Sequence, residues 1–171
     1  MSIVPEFSRP VLLARIGSEP LRREIVATAA EREALARRFD LLALDWLTAK
    51  VELIRRSGDM MLLRAAFDAA FVQECVVTLD PIEGVLSAEF ELLYGPAEAE
   101  EAAAGVLGDA VAFEPLDGEA IDIGEAVAQE FSLALPPFPR TPDADTAITE
   151  PSAEAAPMAA LAQFFARRRD D

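Results

Sequence analysis

Three stretches of this sequence alternate apolar and polar residues with a period of two, and this pattern constrains the fold more than any other feature. The stretches are 47–53, 61–71 and 86–92. Successive side chains of a β-strand point to opposite faces, so such alternation is typical of strands with one buried face. The Ser-Gly-Asp sequence at 57–59 predicts a tight turn, and the glycine and proline within 80–84 predict another. The sequence therefore predicts an antiparallel meander of long twisted strands, partly barrel-like.

Helices are predicted to cover one face of this sheet. A short strand near 22–27 is followed by Thr28 and Glu31, which have the spacing of a capping box at a helix start. Asp122 is a good N-cap for a later helix, and Glu125 follows at its third position. The predicted fold class is therefore α+β, with the strands packed by two or three helices.

The chain divides into three predicted parts. Residues 1–139 form a single α+β domain, 140–156 a proline-rich linker, and 157–171 an amphipathic C-terminal helix that begins with proline. The stretch 95–110 is low in complexity, and its glycines favour a loop over a helix. A helix tethered in this way can dock on its own domain or on a partner, and the sequence leaves both open.

The charge of the chain is strongly negative and unevenly distributed. There are 15 Lys and Arg residues against 31 Asp and Glu residues, which gives a net charge of −16. The first 75 residues are balanced, whereas residues 76–139 contain 14 acidic residues and no Lys or Arg. Because nucleic-acid binding depends on cations that neutralise phosphates, the second half is better suited to a basic protein than to RNA. Alternatively, the acidity serves solubility alone.

Residue types that common enzyme sites need are missing. The chain has no histidine, which excludes Ser-His-Asp and Cys-His sites, and its glycines match no phosphate-binding loop. No catalytic residue and no cofactor is therefore predicted. The single cysteine, Cys75, excludes an internal disulfide and a multi-cysteine zinc site, so no metal is predicted. Cys75 is interpreted as a buried structural thiol, with a reactive thiol as the alternative.

The sequence also predicts where the protein resides. No stretch is apolar over the roughly 18 residues that a membrane helix requires. The first ten residues contain Glu6 and two prolines, where a secretory signal would need a basic start and an apolar run. We therefore expect a cytoplasmic protein that does not bind membranes.

Two segments near the C-terminus have the composition of partner-binding elements. The Pro-Pro-Phe-Pro-Arg sequence at 136–140 is stiff and extended, and it either docks in a partner's groove or folds back onto the domain. In the predicted C-terminal helix an apolar face is followed by cations, which the helix dipole favours at that end. The candidate partner-binding residues are Phe138, Arg140, Phe164, Phe165, Arg167 and Arg168.

Four phrases of the sequence carry a family resemblance. They are AAEREALARRFDL at 29–41, FVQECVVTLDPI at 71–82, LDGEAIDIGEAVAQEFSLALPPFPR at 116–140 and PMAALAQFFARR at 157–168. Together, and in this order and spacing, they resemble the YceD family of bacterial ribosomal-RNA accumulation proteins, in its alphaproteobacterial form. The family-motif residues, which we interpret as structural, are Cys75, Asp122, Gly124, Glu125, Pro136 and Pro137.

The resemblance implies a non-enzymatic role in ribosome biogenesis, in which the protein supports accumulation of large-subunit ribosomal RNA. Many members of the resembled family place a second cysteine three residues after the equivalent of Cys75, where this chain has Thr78. Many also carry a cysteine cluster after the proline-rich turn, and that cluster resembles a zinc site. Residues 141–147 contain no cysteine here, so zinc binding is not carried over.

These observations lead to one favoured hypothesis and two alternatives. In the favoured hypothesis the acidic half binds a basic large-subunit ribosomal protein or an assembly intermediate, and contact with ribosomal RNA is indirect. The first alternative is direct RNA binding by three arginine pairs: Arg22 and Arg23, Arg37 and Arg38, Arg55 and Arg56. The second alternative is an enzyme on an unknown small molecule, which the missing motifs disfavour.

Overall fold

Most of the sheet consists of three long strands. The computed structural model describes residues 5–99, 111–116 and 118–144. Its strands and helices are, in chain order, β1 (Pro10–Leu12), β2 (Leu21–Val26), α1 (Ala29–Arg38), β3 (Ala43–Arg55), β4 (Met61–Glu74), β5 (Pro81–Gly95), β6 (Ala112–Pro115), β7 (Ala120–Asp122) and α2 (Ile123–Ala134). Short 3-10 turns occur at Leu13–Arg15 and Ala97–Ala99.

The strands follow the predicted meander. The main sheet has the order β2-β3-β4-β5-β6, and a second, two-stranded sheet pairs β1 with β7. Strands β2 to β5 are antiparallel neighbours in sequence order, whereas β6 runs parallel to the last four residues of β5. The predicted α+β fold class is confirmed, and within the described residues the sheet is open, with β2 and β6 at its edges.

The core lies between one face of the main sheet and the two helices. Phe131 of α2 is fully buried, and its ring lies edge-on to Phe67 and Phe71 of β4, with centroid distances of 6.2 and 5.8 Å. Phe39, which follows α1, contacts the same ring at 5.9 Å. We call the sheet face that these rings cover the inner face, and the opposite one the outer face.

Helix α1 begins with the predicted capping box. The Thr28 side chain accepts a hydrogen bond from the Glu31 N–H, and the Glu31 carboxylate accepts one from the Thr28 N–H at 2.7 Å. The same carboxylate forms a two-point ion pair with Arg9, at 2.7 and 3.0 Å. The segment that precedes β1 is therefore fastened to the start of the helix.

Asp122 caps α2 and also anchors the N-terminal segment. Its carboxylate accepts hydrogen bonds from the N–H groups of Gly124 and Glu125, both at 3.1 Å, as the sequence predicted. It also accepts bonds from the Arg9 N–H at 2.7 Å and from the Ser8 hydroxyl. The pairing of β1 with β7, which sequence reasoning missed, lies directly beside this cap.

Two strands extend beyond their alternating patterns for identifiable reasons. In β3 a bulge between Leu44 and Trp46 interrupts the period of two, so the first residues of the strand escape the pattern. The second predicted turn, at 80–84, is wrong, because Pro81 and Gly84 lie inside β5. The Phe71 ring packs over Gly84, where a Cβ would lie 2.6 Å from it, so the glycine makes room for a cross-strand aromatic ring.

The chain after α2 stays against the domain as far as it is described. The Pro139 carbonyl accepts a hydrogen bond from the Val76 N–H at 3.0 Å, and Ala144 is buried. Residues 145–156 of the predicted linker, the predicted helix at 157–171 and most of 95–110 lie outside the described residues. Among the described helices, none has the length and apolarity that crossing a membrane requires.

Replacing Gly124 with alanine should destabilise the fold strongly. A Cβ there would lie 2.1 Å from the Phe7 carbonyl oxygen and 3.1 Å from the Arg9 nitrogen, so the N-terminal backbone would have to move. We expect the free energy of unfolding to fall by about 3 kcal/mol, the upper end of the range typical of overpacking. Urea denaturation measures this change. Gly17→Ala, which has open space around the new methyl group, is the control and should change the value by no more than about 0.5 kcal/mol.

The Arg9–Glu31 pair should make stability depend on pH in the acid range. Hydrogen bonding by Arg9, with further bonds from Thr28, lowers the pKa of Glu31 to about 2. Because an unfolded glutamate has a pKa of about 4.3, this contribution is present above that pH and is lost as the pH falls towards 2.

Arg9→Gln removes the main cause of the shift. Thermal unfolding should show a variant that is less stable at about pH 6, and whose stability falls less than that of the wild type between about pH 5 and pH 2. Glu33→Gln, an exposed position on the same helix, is the control and should reproduce the wild-type profile. Parallel profiles for Arg9→Gln and the wild type would contradict the proposed linkage.

Candidate functional site

The outer face of the main sheet is left open by both helices. Residues of β2, β3, β4 and β5 line an open trough of about 990 Å³ on this face. Its polar side chains come from the alternating positions that do not face the core, as the period of two requires. The trough is therefore a concave surface built on regular strands, which hold its side chains in fixed rows.

One row of the trough consists of charges that neutralise one another. Arg22, Glu52, Arg64 and Glu91 lie in register on four neighbouring strands and alternate in sign. Arg22 forms an ion pair with Glu52 at 2.8 Å, and Arg64 forms one with Glu91. Because cross-strand pairs of opposite charge stabilise a sheet, this row is explained by the fold itself.

Towards β5 the outer face becomes acidic. Glu83 and Glu89 are exposed on this strand, and within the described ranges neither forms an ion pair. Asp68 of β4 lies opposite Ser87 and accepts a hydrogen bond from its hydroxyl. Lys50 of β3 is two strands away, opposite Ala66. The side of the trough nearest β5 is therefore a surface suited to cations.

Exposed apolar side chains lie beyond the charged rows. Trp46, the only tryptophan of the chain, is 43% exposed on the outer face, and its row continues through Ala70 to Val85, which is 75% exposed. Val26 of β2 is exposed in the neighbouring row, opposite Thr48. Sequence reasoning missed this surface. The signal was available, since apolar residues at positions opposite in phase to the core pattern must face solvent or a partner.

Cys75 is buried in the connection between β4 and β5, as predicted for a structural thiol. Its sulfur accepts hydrogen bonds from the N–H groups of Thr78 and Thr141, both at 3.5 Å, and lies 3.8 Å from the Thr141 hydroxyl. Hydrogen bonding, by Thr78 first and also by Thr141, lowers the pKa of the thiol to about 6. These bonds hold residues 141–144 against the β4–β5 connection.

The surroundings of Cys75 do not fit a zinc ion. The fold brings together the two regions in which many members of the resembled family carry cysteines, but here they contribute Thr78, Thr141 and the buried Ala144. Structural zinc prefers four thiolate or imidazole ligands, and one thiol with two hydroxyls does not provide them. No group of three or more His, Cys, Asp or Glu side chains suited to a metal occurs in the described part of the chain.

The predicted partner-binding residues are only partly described. Phe138 is 75% exposed, and Arg140 is exposed close to it in sequence. Pro136 follows the end of α2 and accepts a hydrogen bond from the Gln73 side chain through its carbonyl. Four predicted residues lie outside the described ranges: Phe164, Phe165, Arg167 and Arg168.

The fold disperses the arginine pairs of the first half. Arg22 and Arg23 are adjacent on β2 and point to opposite faces, as strand geometry requires. Arg38 bonds to Glu125 of α2 at 2.7 and 2.9 Å and also pairs with Glu6. Arg55 donates to the carbonyls of Leu13 and Ile16. The structure therefore places the three pairs on three different elements.

Together, the fold and the charge of the chain define an acidic α+β protein whose main sheet has one face that neither described helix covers. The chain belongs to the YceD family, because the family model described as "Large ribosomal RNA subunit accumulation protein YceD" matches residues 63–163, more than half of the chain. Comparison with curated proteins and with solved structures gives no match. The resemblance inferred from the sequence phrases is confirmed, and the family name implies a role in large ribosomal RNA subunit accumulation.

Cys75 should react slowly in the folded protein despite the low pKa of its thiol. The lower pKa increases the thiolate fraction, but the side chain has no exposed surface, so a reagent must wait for local opening. We expect iodoacetamide to modify Cys75 at least about 100-fold more slowly in native than in denatured protein. Val76→Cys in a Cys75→Ser background is the control, because Val76 is 49% exposed. Equal rates at the two positions would contradict the burial of Cys75.

Proposed function

We propose that this protein is a cytoplasmic, non-enzymatic ribosome-biogenesis factor. It binds a basic large-subunit ribosomal protein or an assembly intermediate, and it thereby supports accumulation of large-subunit ribosomal RNA. The observation that carries the proposal is the charge of residues 76–139, which contain 14 acidic residues and no Lys or Arg. Family membership indicates the process, which is large-subunit ribosomal RNA accumulation, and the acidic charge indicates that the partner is basic.

An acidic binding protein is useful to a ribosomal protein that must later bind RNA. Such a protein carries cations that neutralise phosphates, and free cations attract the wrong nucleic acid before assembly. An acidic partner covers them through charge complementarity, and the more densely charged RNA displaces it at the assembly site. The exposed Glu83 and Glu89 lie where such a partner can reach them.

The basic residues of the first half favour a protein partner over direct RNA binding. Arg9, Arg38 and Arg64 are each paired with a glutamate of the same chain. Arg55 is bonded to main-chain carbonyls. Phosphate binding would require these bonds to break or would have to rely on the remaining cations of the first half, which are spread over several elements.

The proposal predicts that the protein retains a basic partner in the absence of RNA. The tagged full-length chain would be purified from its own cells at low salt, with and without ribonuclease, and bound proteins and RNA identified separately. We expect a basic large-subunit ribosomal protein to remain after ribonuclease treatment and to be released by salt. The fluorescence of Trp46 should shift when the purified partner covers the outer face.

Charge reversal on the acidic side of the outer face tests the same proposal. The double variant Glu83→Lys with Glu89→Lys should reduce capture at least about tenfold. Glu19→Lys with Glu33→Lys changes the net charge equally at exposed positions of the charge-balanced first half, and it should retain most of the capture. Recovery of ribosomal RNA alone, with every protein lost on ribonuclease treatment, would contradict the proposal and favour direct RNA binding.

A further inference from the structure

Strand β5 has an unpaired outer edge over most of its length. It spans Pro81–Gly95 and pairs with β4 along all of it, but β6 pairs only with Leu92–Gly95. Within the described residues no strand pairs with the other side of Pro81–Glu91. Every second N–H and C=O of that segment therefore points away from β4, in the manner of an edge strand that can accept another.

The side chains along this edge are incompletely covered. Leu86, Ala88 and Phe90 face the inner side and are only partly buried, whereas Leu92 is 5% exposed where β6 begins to pair. Apolar side chains of an added strand would lie beside these three residues and complete the inner layer. The edge therefore offers apolar contacts in addition to its backbone hydrogen bonds.

The free edge of β5 and the edge strand β2 differ in charge. The free edge of β5 carries Glu83 and Glu89, both exposed and without an ion pair among the described residues, whereas β2 at the opposite side of the sheet carries Arg22, Arg23 and Glu24, and Arg22 is paired with Glu52. A basic extended segment is therefore attracted more strongly to the free edge of β5 than to β2. The negative charge of the free β5 edge therefore favours a basic segment as its binding partner.

A second copy of the chain fits this edge poorly. Antiparallel pairing of two β5 strands centred on Ser87 would place Glu83 of one copy opposite Glu91 of the other, and Val85 opposite Glu89. Like charges in directly opposed positions destabilise a sheet. A partner that alternates basic and apolar residues would instead satisfy both faces of the edge.

We propose that the free edge of β5 receives an extended basic segment of the partner as an additional strand. Its backbone pairs with Pro81–Glu91, its basic side chains lie beside Glu83 and Glu89, and its apolar side chains cover Leu86, Ala88 and Phe90. This inference rests on the proposed function and states how the partner is held.

A synthetic peptide tests the inference on the full-length chain. The probe is a capped nonapeptide of alternating lysine and valine, and the control peptide has proline in place of every valine, which keeps the charge but prevents strand pairing. Backbone amide exchange of the protein would be followed by NMR with each peptide. We expect alternate amides within 82–91 to gain at least about tenfold protection with the valine peptide alone.

Several results would overturn the inference. They are equal protection with the proline peptide, protection at β2 instead of β5, and binding that leaves the 82–91 amides unchanged. Protection of these amides without peptide, if it rises with protein concentration, would assign the edge to a second copy and would also overturn it. Loss of peptide protection in the Glu83→Lys, Glu89→Lys variant, but not in Glu19→Lys, Glu33→Lys, would support the assigned charge complementarity.

The outcome is separable from that of the proposed function. Capture of a basic ribosomal protein by a chain whose 82–91 amides gain no protection, with that protein or with the peptide, would refute strand addition and leave the function standing. Strand addition of the valine peptide, together with failure to capture any basic protein from cells, would refute the proposed function and leave the edge as a binding site for basic segments.

Discussion

Burial of the Phe131 ring against the inner face joins the parts of this molecule. The ring contacts Phe67 and Phe71 of the central strand and Phe39 after the first helix, so both helices and the sheet meet at one side chain. Loss of a buried phenylalanine typically costs about 3–5 kcal/mol, a large share of the 5–15 kcal/mol that stabilises a domain. Because both described helices pack on this face, neither of them covers the other face of the sheet.

The ion pairs formed by Arg9 and Arg38 also join parts of the fold that are distant in sequence. Arg9 with Glu31, and Arg38 with Glu6 and Glu125, connect the N-terminal segment and the two helices around the edge of the core. Basic residues are thus consumed inside the fold, while acidic residues of the later strands remain at the surface. Glu83 and Glu89 of β5 are exposed on the outer face, and neither forms an ion pair within the described residues.

Local patterns in the sequence predicted the strands and helices that are determined by residues close together in the chain. Alternation located β3, β4 and β5, and the side chains of Thr28 and Asp122 marked both helix starts. The pairing of β1 with β7 could not be predicted, because its partners are more than a hundred residues apart and each strand has three residues. The free edge of β5 was missed for a similar reason, since it depends on how far the parallel strand β6 extends. Alternation identifies which side chains share a face, but it does not identify which edge stays unpaired.

The connectivity of the sheet also sets an order for folding during synthesis. Strands β2 to β5 pair in sequence order, with α1 between β2 and β3 and short turns between the later strands, so they can form once residue 95 is available. The helix that covers their inner face, α2, ends only at Ala134, and β1 must wait for β7. Because closing a long loop costs more entropy than closing a hairpin, the N-terminal segment is the last part to be fixed. A growing chain therefore carries a sheet whose apolar face is covered only by α1 until about forty further residues have emerged, and refolding studied by pulsed hydrogen exchange would resolve these two stages.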